Sequence, residues 1–346
     1  MPEIPATDLP QSIALFALSG LAVWIAGARL AYISDTLSDR LHLAKSIVGL
    51  LFLSAATSLP EIATTLTAAI QNAGDLVVNN LFGGIALQTA ILAMSDFWAR
   101  GAITNYPRKA NHALEATLLV LMLGLAIVVL TLGEPLTLGG IGLGSAVIAL
   151  VYVAAIWLLR TYHHANDWVP VDLPDPDPLP FPAPSGLHEA PIRSLILQAA
   201  LACAAILIFG ILLVASAERI AQQSGLGTGF IGVTLLAAAT SLPELTTSIT
   251  AVRIGAYTLA ISNIFGSNLI MLVLVFPADL LHRSGPLLRV ESSIPLASLG
   301  FGILVTAIFL TGLLIRRKPR IGPVGLDSVL VMLTFAASLL VYYHLR

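Results

Sequence analysis

The chain is 346 residues long, 57% hydrophobic and 10% charged, whereas an ordinary soluble domain is roughly a quarter charged. That composition excludes a soluble globular protein, and at about 20 apolar residues per membrane span it supplies sequence for about ten spans. The balance of 17 Lys and Arg against 19 Asp and Glu, net −2, leaves no basic surface to neutralise a nucleic-acid backbone, so nucleic acid is excluded as a partner.

In chain order, "MPEIPATDLPQS" carries Glu3 and Asp8 and no Lys or Arg, so the apolar run after it is expected to stay as a membrane helix, not to leave as a signal peptide. Apolar runs between polar breaks then predict helices near 11–31, 41–71, 75–97, 112–132 and 137–160. The string "GGIGLG" at 139–144 falls inside the fifth helix. With no strand before it, it reads as a stripe for close helix packing and not as a phosphate loop.

Residues 161–193 form a linker with a proline at nearly every second position from Pro174 to Pro184, which favours an extended polyproline spacer. Its acids Asp172, Asp175 and Asp177 lack the glycine turn and terminal Glu of an EF-hand. His163 and His164 read as interfacial anchors. The second half predicts helices near 194–217, 227–254, 257–280, 292–315 and 325–345. Cys203, the one cysteine, lies in "LQAALACAAILIFGILL" and is expected to be a small buried hydrophobe. The acids near helix ends, Asp96, Glu115, Glu218, Asp279 and Glu291, are expected at the membrane interface.

The expected fold is thus an all-α polytopic membrane protein of ten transmembrane helices, with residues 1–160 and 194–346 as two five-helix halves. Arg219, Arg283, Arg289 and Arg346 fall on the side of the N-terminus, and the other thirteen basic residues on the opposite side. The positive-inside rule then puts both termini outside and the linker in the cytoplasm of a cell with this chain in its plasma, or inner, membrane.

The halves resemble one another. "LSAATSLPEIATTLTAAIQNAGDLVVNNLFGGIALQ" at 53–88 aligns without gaps on "LAAATSLPELTTSITAVRIGAYTLAISNIFGSNLIM" at 236–271, so the offset between the copies is constant. Thr57, Ser58, Leu59, Pro60 and Glu61 fall on Thr240, Ser241, Leu242, Pro243 and Glu244; Asn80, Phe82 and Gly83 fall on Asn263, Phe265 and Gly266. Five spans per half is an odd number, so the second half should enter the membrane with opposite polarity, an inverted pair typical of alternating-access transporters.

Within "ATSLPE" the proline has no N–H to donate and clashes with the preceding turn, so each helix should break near the midplane and free carbonyls such as those of Thr57 and Thr240. Freed carbonyls and an adjacent glutamate are both costly in a membrane unless something occupies them. Two carboxylates with carbonyl and hydroxyl oxygens make a hard-oxygen site suited to a cation such as Ca²⁺. The facing segments "NNLFGG" and "SNIFGSN" add small residues for close helix approach and further amide oxygens.

The paired "TSLPE" and "N-x-F-G-S-N" segments resemble the two alpha-repeats of the sodium/calcium exchanger family, within the cation/calcium antiporter superfamily. The resemblance implies that Glu61 and Glu244 bind the transported ion with the carbonyls of Thr57 and Thr240. It also implies Na⁺ positions at Ser58, Ser241 and Ser267 and at the carbonyls of Ser54 and Ala237. The chain departs from the family where Gly-Ser-Asn of the first repeat is replaced by Gly83, Gly84 and Ile85. A further amide or acid is replaced by Gln88 and Met271; Gln88 keeps an amide oxygen, and a thioether is a poor ligand for a hard cation.

The expected function is a non-enzymatic antiporter that expels a divalent cation, most simply Ca²⁺, in exchange for Na⁺ or H⁺, with the lipid bilayer and these ions as partners, no obligate protein partner and no organic cofactor. Exchange for H⁺ needs no extra ligand, since carboxyl groups out of water take up protons readily. A monovalent cation/proton antiporter, or a non-transporting sensor derived from an exchanger, would use the same residues. A metal-assisted hydrolase would want a histidine near Glu61 or Glu244, and the repeats have none.

Overall fold

The structure is a computed structural model that describes residues 8–99, 101–107, 110–162, 186–223, 238–290, 292–315 and 319–345. The proline-rich linker with His163 and His164, the first part of the helix expected over 227–254, and Ala237 and Glu291 lie outside the described residues.

Helix α1 (Leu9–Arg40) starts with Pro10 in its first turn, where the missing N–H costs nothing, and with the Asp8 N–H donating to Gln11 Oε1 at 3.2 Å. It is followed by α2 (Lys45–Ile47), a π-helical stretch (Val48–Leu53), α3 (Ser54–Thr57) and α4 (Leu59–Ile70). Then come α5 (Gly74–Ser95), α6 (Asn111–Leu132) and α7 (Leu143–Tyr162). The second set is α8 (Ile192–Gln223), α9 (Leu242–Arg253), α10 (Tyr257–Val273), α11 (Val275–Leu281), α12 (Ile294–Leu314) and α13 (Leu326–His344). Among the described residues eight helices are long and apolar enough to cross a membrane, and up to nine if Lys45–Thr57 and Leu59–Ile70 count as one bent span.

The helix bounds repeat at the same offset as the sequence. Leu9 and Arg40, the ends of α1, map onto Ile192 and Gln223, the ends of α8, and the ends of α4 map likewise onto those of α9. α1 and α8 run antiparallel against each other: Ser12 Oγ donates to Gln223 Oε1 at 3.0 Å near one end, Arg29 Nε to Gln198 Oε1 at 3.1 Å further along, and the Arg40 guanidinium to the Ala190 carbonyl at the other end.

α5 and the α10–α11 pair are the most enclosed of the spans. Phe82, Ile85, Phe265 and Leu269 are wholly buried there. The outer helices α1, α7 and α8 expose Leu18, Leu21, Ile25, Leu150, Val153, Trp157, Leu197 and Leu201. An exposed apolar face of that extent suits hydrocarbon, not water.

Two departures from an all-helical chain stand out. Thr137–Leu138 pairs antiparallel with Ile141–Gly142, and Arg320–Ile321 with Val324–Gly325, as two-stranded hairpins whose registers are again related by the repeat offset. The "GGIGLG" string is therefore mostly hairpin. Gly139 (φ 63°) and Gly140 (φ 90°) adopt a left-handed turn that ends helical continuity, and α7 starts only at Leu143.

Candidate functional site

Pro60 leaves the Ala56 carbonyl without its usual i+4 donor, and the chain turns by 52° between Lys45–Thr57 and Leu59–Ile70. Ser58 sits at the turn with φ −80° and ψ 5°; Ser241, its counterpart, has φ −90° and ψ 6° before Pro243. Both breaks are stabilised alike. Thr64 Oγ1 donates to the Pro60 and Glu61 carbonyls at 2.9 and 3.1 Å, and Thr247 Oγ1 to the Pro243 and Glu244 carbonyls at 2.8 and 3.2 Å. Each break thereby presents a glutamate in the first turn of a 12-residue helix, where the helix dipole favours negative charge.

Glu61 and Glu244 are 2% and 0% exposed and lie close enough for their charges to repel. Glu244 Oε1 accepts from Ser58 Oγ at 3.3 Å and from Ser267 Oγ at 3.5 Å, and the two hydroxyls are 3.1 Å apart. Among the described residues, Glu244 Oε2 and both oxygens of Glu61 have no hydrogen-bond partner. An unsatisfied buried acceptor costs roughly 1–3 kcal/mol, more if charged. Three such oxygens on two buried carboxylates form a set that a hard cation would satisfy.

The helices come close enough for this because two glycines lie at the crossing. A Cβ added at Gly49 would lie 2.8 Å from the Leu259 carbonyl, and one at Gly266 would collide with the Leu50 carbonyl and lie 2.6 Å from Ser54 Oγ. α10 thus presses on the π-helical stretch, and Ser267 reaches Ser58 and Glu244.

Of the residues singled out by sequence, Ser58, Ser267 and Glu244 are in direct contact, and Glu61 joins them electrostatically. Thr57 Oγ1 donates to the Ser54 carbonyl at 3.2 Å and lies 3.5 Å from Asn263 Oδ1. Thr240 and Ser241 are buried at the second break. Gln88 is fully buried with neither amide atom partnered, and no bond links it to the cluster among the described residues. Sequence reasoning misses Thr247, which receives the Asn263 amide at 3.1 Å; Asn268, the last residue of "SNIFGSN", donates from Nδ2 to Thr89 at 3.1 Å. The repetition of Thr64 as Thr247 is the available signal.

Three acids expected at the interface are buried. Asp96 accepts from the Ile103 and Gly325 N–H groups at 2.8 and 2.7 Å; Asp279 accepts from Leu287 and Gly142 N–H at 2.7 and 2.8 Å and from Ser145 Oγ at 2.6 Å. Glu115 pairs with His112 Nδ1 at 2.9 Å and accepts from Ser262 Oγ at 2.8 Å. Each is buried because it has donors waiting, the condition under which an acid leaves water.

Residues 11–161 and 194–344 match the family model described as sodium/calcium exchanger protein. The chain is 30% identical over 266 residues, covering 75% of it and 78% of the other protein, to CaxA of Alkalimonas amylolytica, named as an antiporter. It is 27% identical to the inner membrane protein YrbG of Escherichia coli, covering 89% and 90% of the two chains. A solved structure of the sodium-calcium exchanger NCX_Mj superposes with a TM-score of 0.70 at 17% identity, over 95% of this chain and 98% of that one, which is a likeness of fold.

Proposed function

Because the chain belongs to the sodium/calcium exchanger family, we propose that it is a secondary active antiporter that moves Ca²⁺ out across the plasma or inner membrane against Na⁺ or H⁺ by alternating access. The observation that carries this reading is the set of three buried carboxylate oxygens without a hydrogen-bond partner among the described residues, two on Glu61 and one on Glu244, the latter in contact with Ser58 and Ser267. Ca²⁺ takes six to eight oxygens. The two carboxylates with the carbonyls of Thr57 and Thr240 would supply the core of that shell. Ser58, Ser241, Ser267 and Gln88 would serve the counter-ion at its edge.

Ten spans in two inverted five-helix halves, residues 1–160 and 194–346 around a cytoplasmic linker, with both termini outside, is the membrane arrangement that goes with this function. The antiparallel course of α1 and α8 at a constant offset supports it.

The test is ⁴⁵Ca²⁺ uptake into proteoliposomes, driven separately by outward Na⁺ and outward H⁺ gradients. Uptake should vanish in Glu61→Gln and in Glu244→Gln, and retained flux in either would sink the assignment. A second reading, monovalent cation/proton antiport by the same glutamates, is favoured by Gly84 and Met271 standing where the family carries oxygen ligands. Absence of Ca²⁺ competition in cation-binding assays would select it.

A further inference from the structure

A cavity of about 210 Å³ opens beside the first repeat. Among the described residues its wall is made by Thr64, Thr65, Thr67, Thr240, Asn80 and Glu218, with Gln71 and apolar side chains forming the rest. A water occupies about 30 Å³ of liquid, so there is room for about seven, enough for a divalent ion with its inner hydration shell. Thr240 belongs to the second helix break, one helical turn before Glu244, so the cavity reaches the edge of the ion site. Among the described residues the wall carries one acid, Glu218, and no Lys or Arg, so its charge favours a cation over an anion.

Glu218 has a counterpart. It lies on α8 at the position that Asp35 holds on α1 when the two halves are aligned at the repeat offset. The two acids have opposite fates. Asp35 accepts from Lys45 Nζ at 2.6 Å, and the same ammonium lies 3.2 Å from Asp39 Oδ1, so that carboxylate is neutralised in place. Glu218 lines the cavity instead.

We propose that Glu218 is a way-station carboxylate of the outer mouth: with the polar side chains of the cavity wall it holds a hydrated divalent cation as the ion passes between the site of Glu61 and Glu244 and the outer face. The station serves one face of the membrane only, since the equivalent acid near the other end of the α1–α8 pair is occupied by Lys45. This rests on the exchanger reading above and adds a site to it.

The experiment compares right-side-out and everted membrane vesicles, which present opposite faces to ⁴⁵Ca²⁺. Glu218→Gln should raise KM for Ca²⁺ about 3- to 10-fold at one face, the lower end of what electrostatic steering supplies, and change KM far more than the maximal rate. Glu218→Asp should restore most of the loss, and the gap from wild type should narrow as salt screens the charge. Equal KM at both faces, or a fall in maximal rate at both faces alike, overturns the proposal.

A second readout needs no transport. In the Glu61→Gln/Glu244→Gln protein, whose central site is disabled, weak Mn²⁺ binding seen by electron paramagnetic resonance should remain and should fall when Glu218→Gln is added. No difference between the two proteins overturns the proposal, whereas wild-type protein without Glu244-dependent Ca²⁺ uptake overturns the exchanger reading by itself.

Discussion

Ser267 Oγ lies 3.5 Å from Glu244 Oε1 and 3.1 Å from Ser58 Oγ, whereas Gly84, its counterpart in the first repeat, has no hydroxyl to offer, and both oxygens of Glu61 are unpartnered among the described residues. The two glutamates occupy the same place in two copies of one motif and differ in what surrounds them. Among the described residues no atom comes within 4 Å of a Cβ added at Gly84.

Gly84→Ser should therefore be accepted without loss of fold and restores to the first repeat the hydroxyl that Ser267 carries in the second. The expected result is a rise in Ca²⁺ uptake driven by an outward Na⁺ gradient, with H⁺-driven uptake not increased. Identical Na⁺-driven rates in the variant and the wild type would show that the missing hydroxyl does not limit the counter-ion.

Thermal unfolding in detergent reads the unpartnered carboxylates directly. A ligand at about 100 times its Kd stabilises a folded protein by about 2.7 kcal/mol, so Ca²⁺ should raise the melting temperature of the wild type. It should not raise that of Glu61→Gln or Glu244→Gln. Without added cation, Glu61→Gln should melt no lower than the wild type, because neither Glu61 oxygen has a hydrogen-bond partner to lose among the described residues.

Asp96 and Asp279 each hold two backbone N–H groups. Asparagine can accept with one oxygen only and turns an NH₂ group toward a donor. Asp96→Asn and Asp279→Asn should each cost about 2–3 kcal/mol and lower the melting temperature by similar amounts. An unchanged melt in either variant would contradict the bonding described.

His112 and Glu115 sit one helical turn apart on α6, 3% and 2% exposed, with Ser262 of α10 bonded across the gap. Removing one member of a buried hydrogen-bonded pair leaves the other unsatisfied, at a cost of about 1–3 kcal/mol. Glu115→Gln and His112→Gln should each destabilise, and the double variant should lose less than the two losses added together. Strict additivity would mean that the pair does not act as one unit.

Much of this is visible in the amino-acid sequence. The repeated "TSLPE" locates both breaks, since a proline's missing N–H acts the same way wherever a helix lies, and the contact among Ser58, Ser267 and Glu244 joins residues that the motif singles out. Other features escape for a physical reason. The glycines at 139 and 140 stand between apolar residues, so hydropathy alone reads helix where left-handed backbone makes a turn. Asp96, Glu115 and Asp279 stand near helix ends, where acids are commonly wet, and their donors come from segments far away in the chain. The repeat held the clue, because Asp96 and Asp279, Gly142 and Gly325, and Ser145 and Ser328 are all pairs at its constant offset. The asymmetry of Asp35 and Glu218 becomes visible only when Lys45 is seen to reach one of them.

The bonds of Asp96 and Asp279 run crosswise. Asp96, after α5, grips the hairpin that leads into α13, and Asp279, in α11, grips the hairpin that leads into α7. Two such charge-assisted grips, each stronger than a neutral bond, tie early residues to late ones and late residues to early ones, while α1 lies along α8. Severing the chain within 163–185 should then leave two polypeptides that still find each other, and a tag on one should bring down the other. The molecule would behave as a heterodimer of its own parts, with a peptide tether that secures equal numbers of each and is not needed for their embrace.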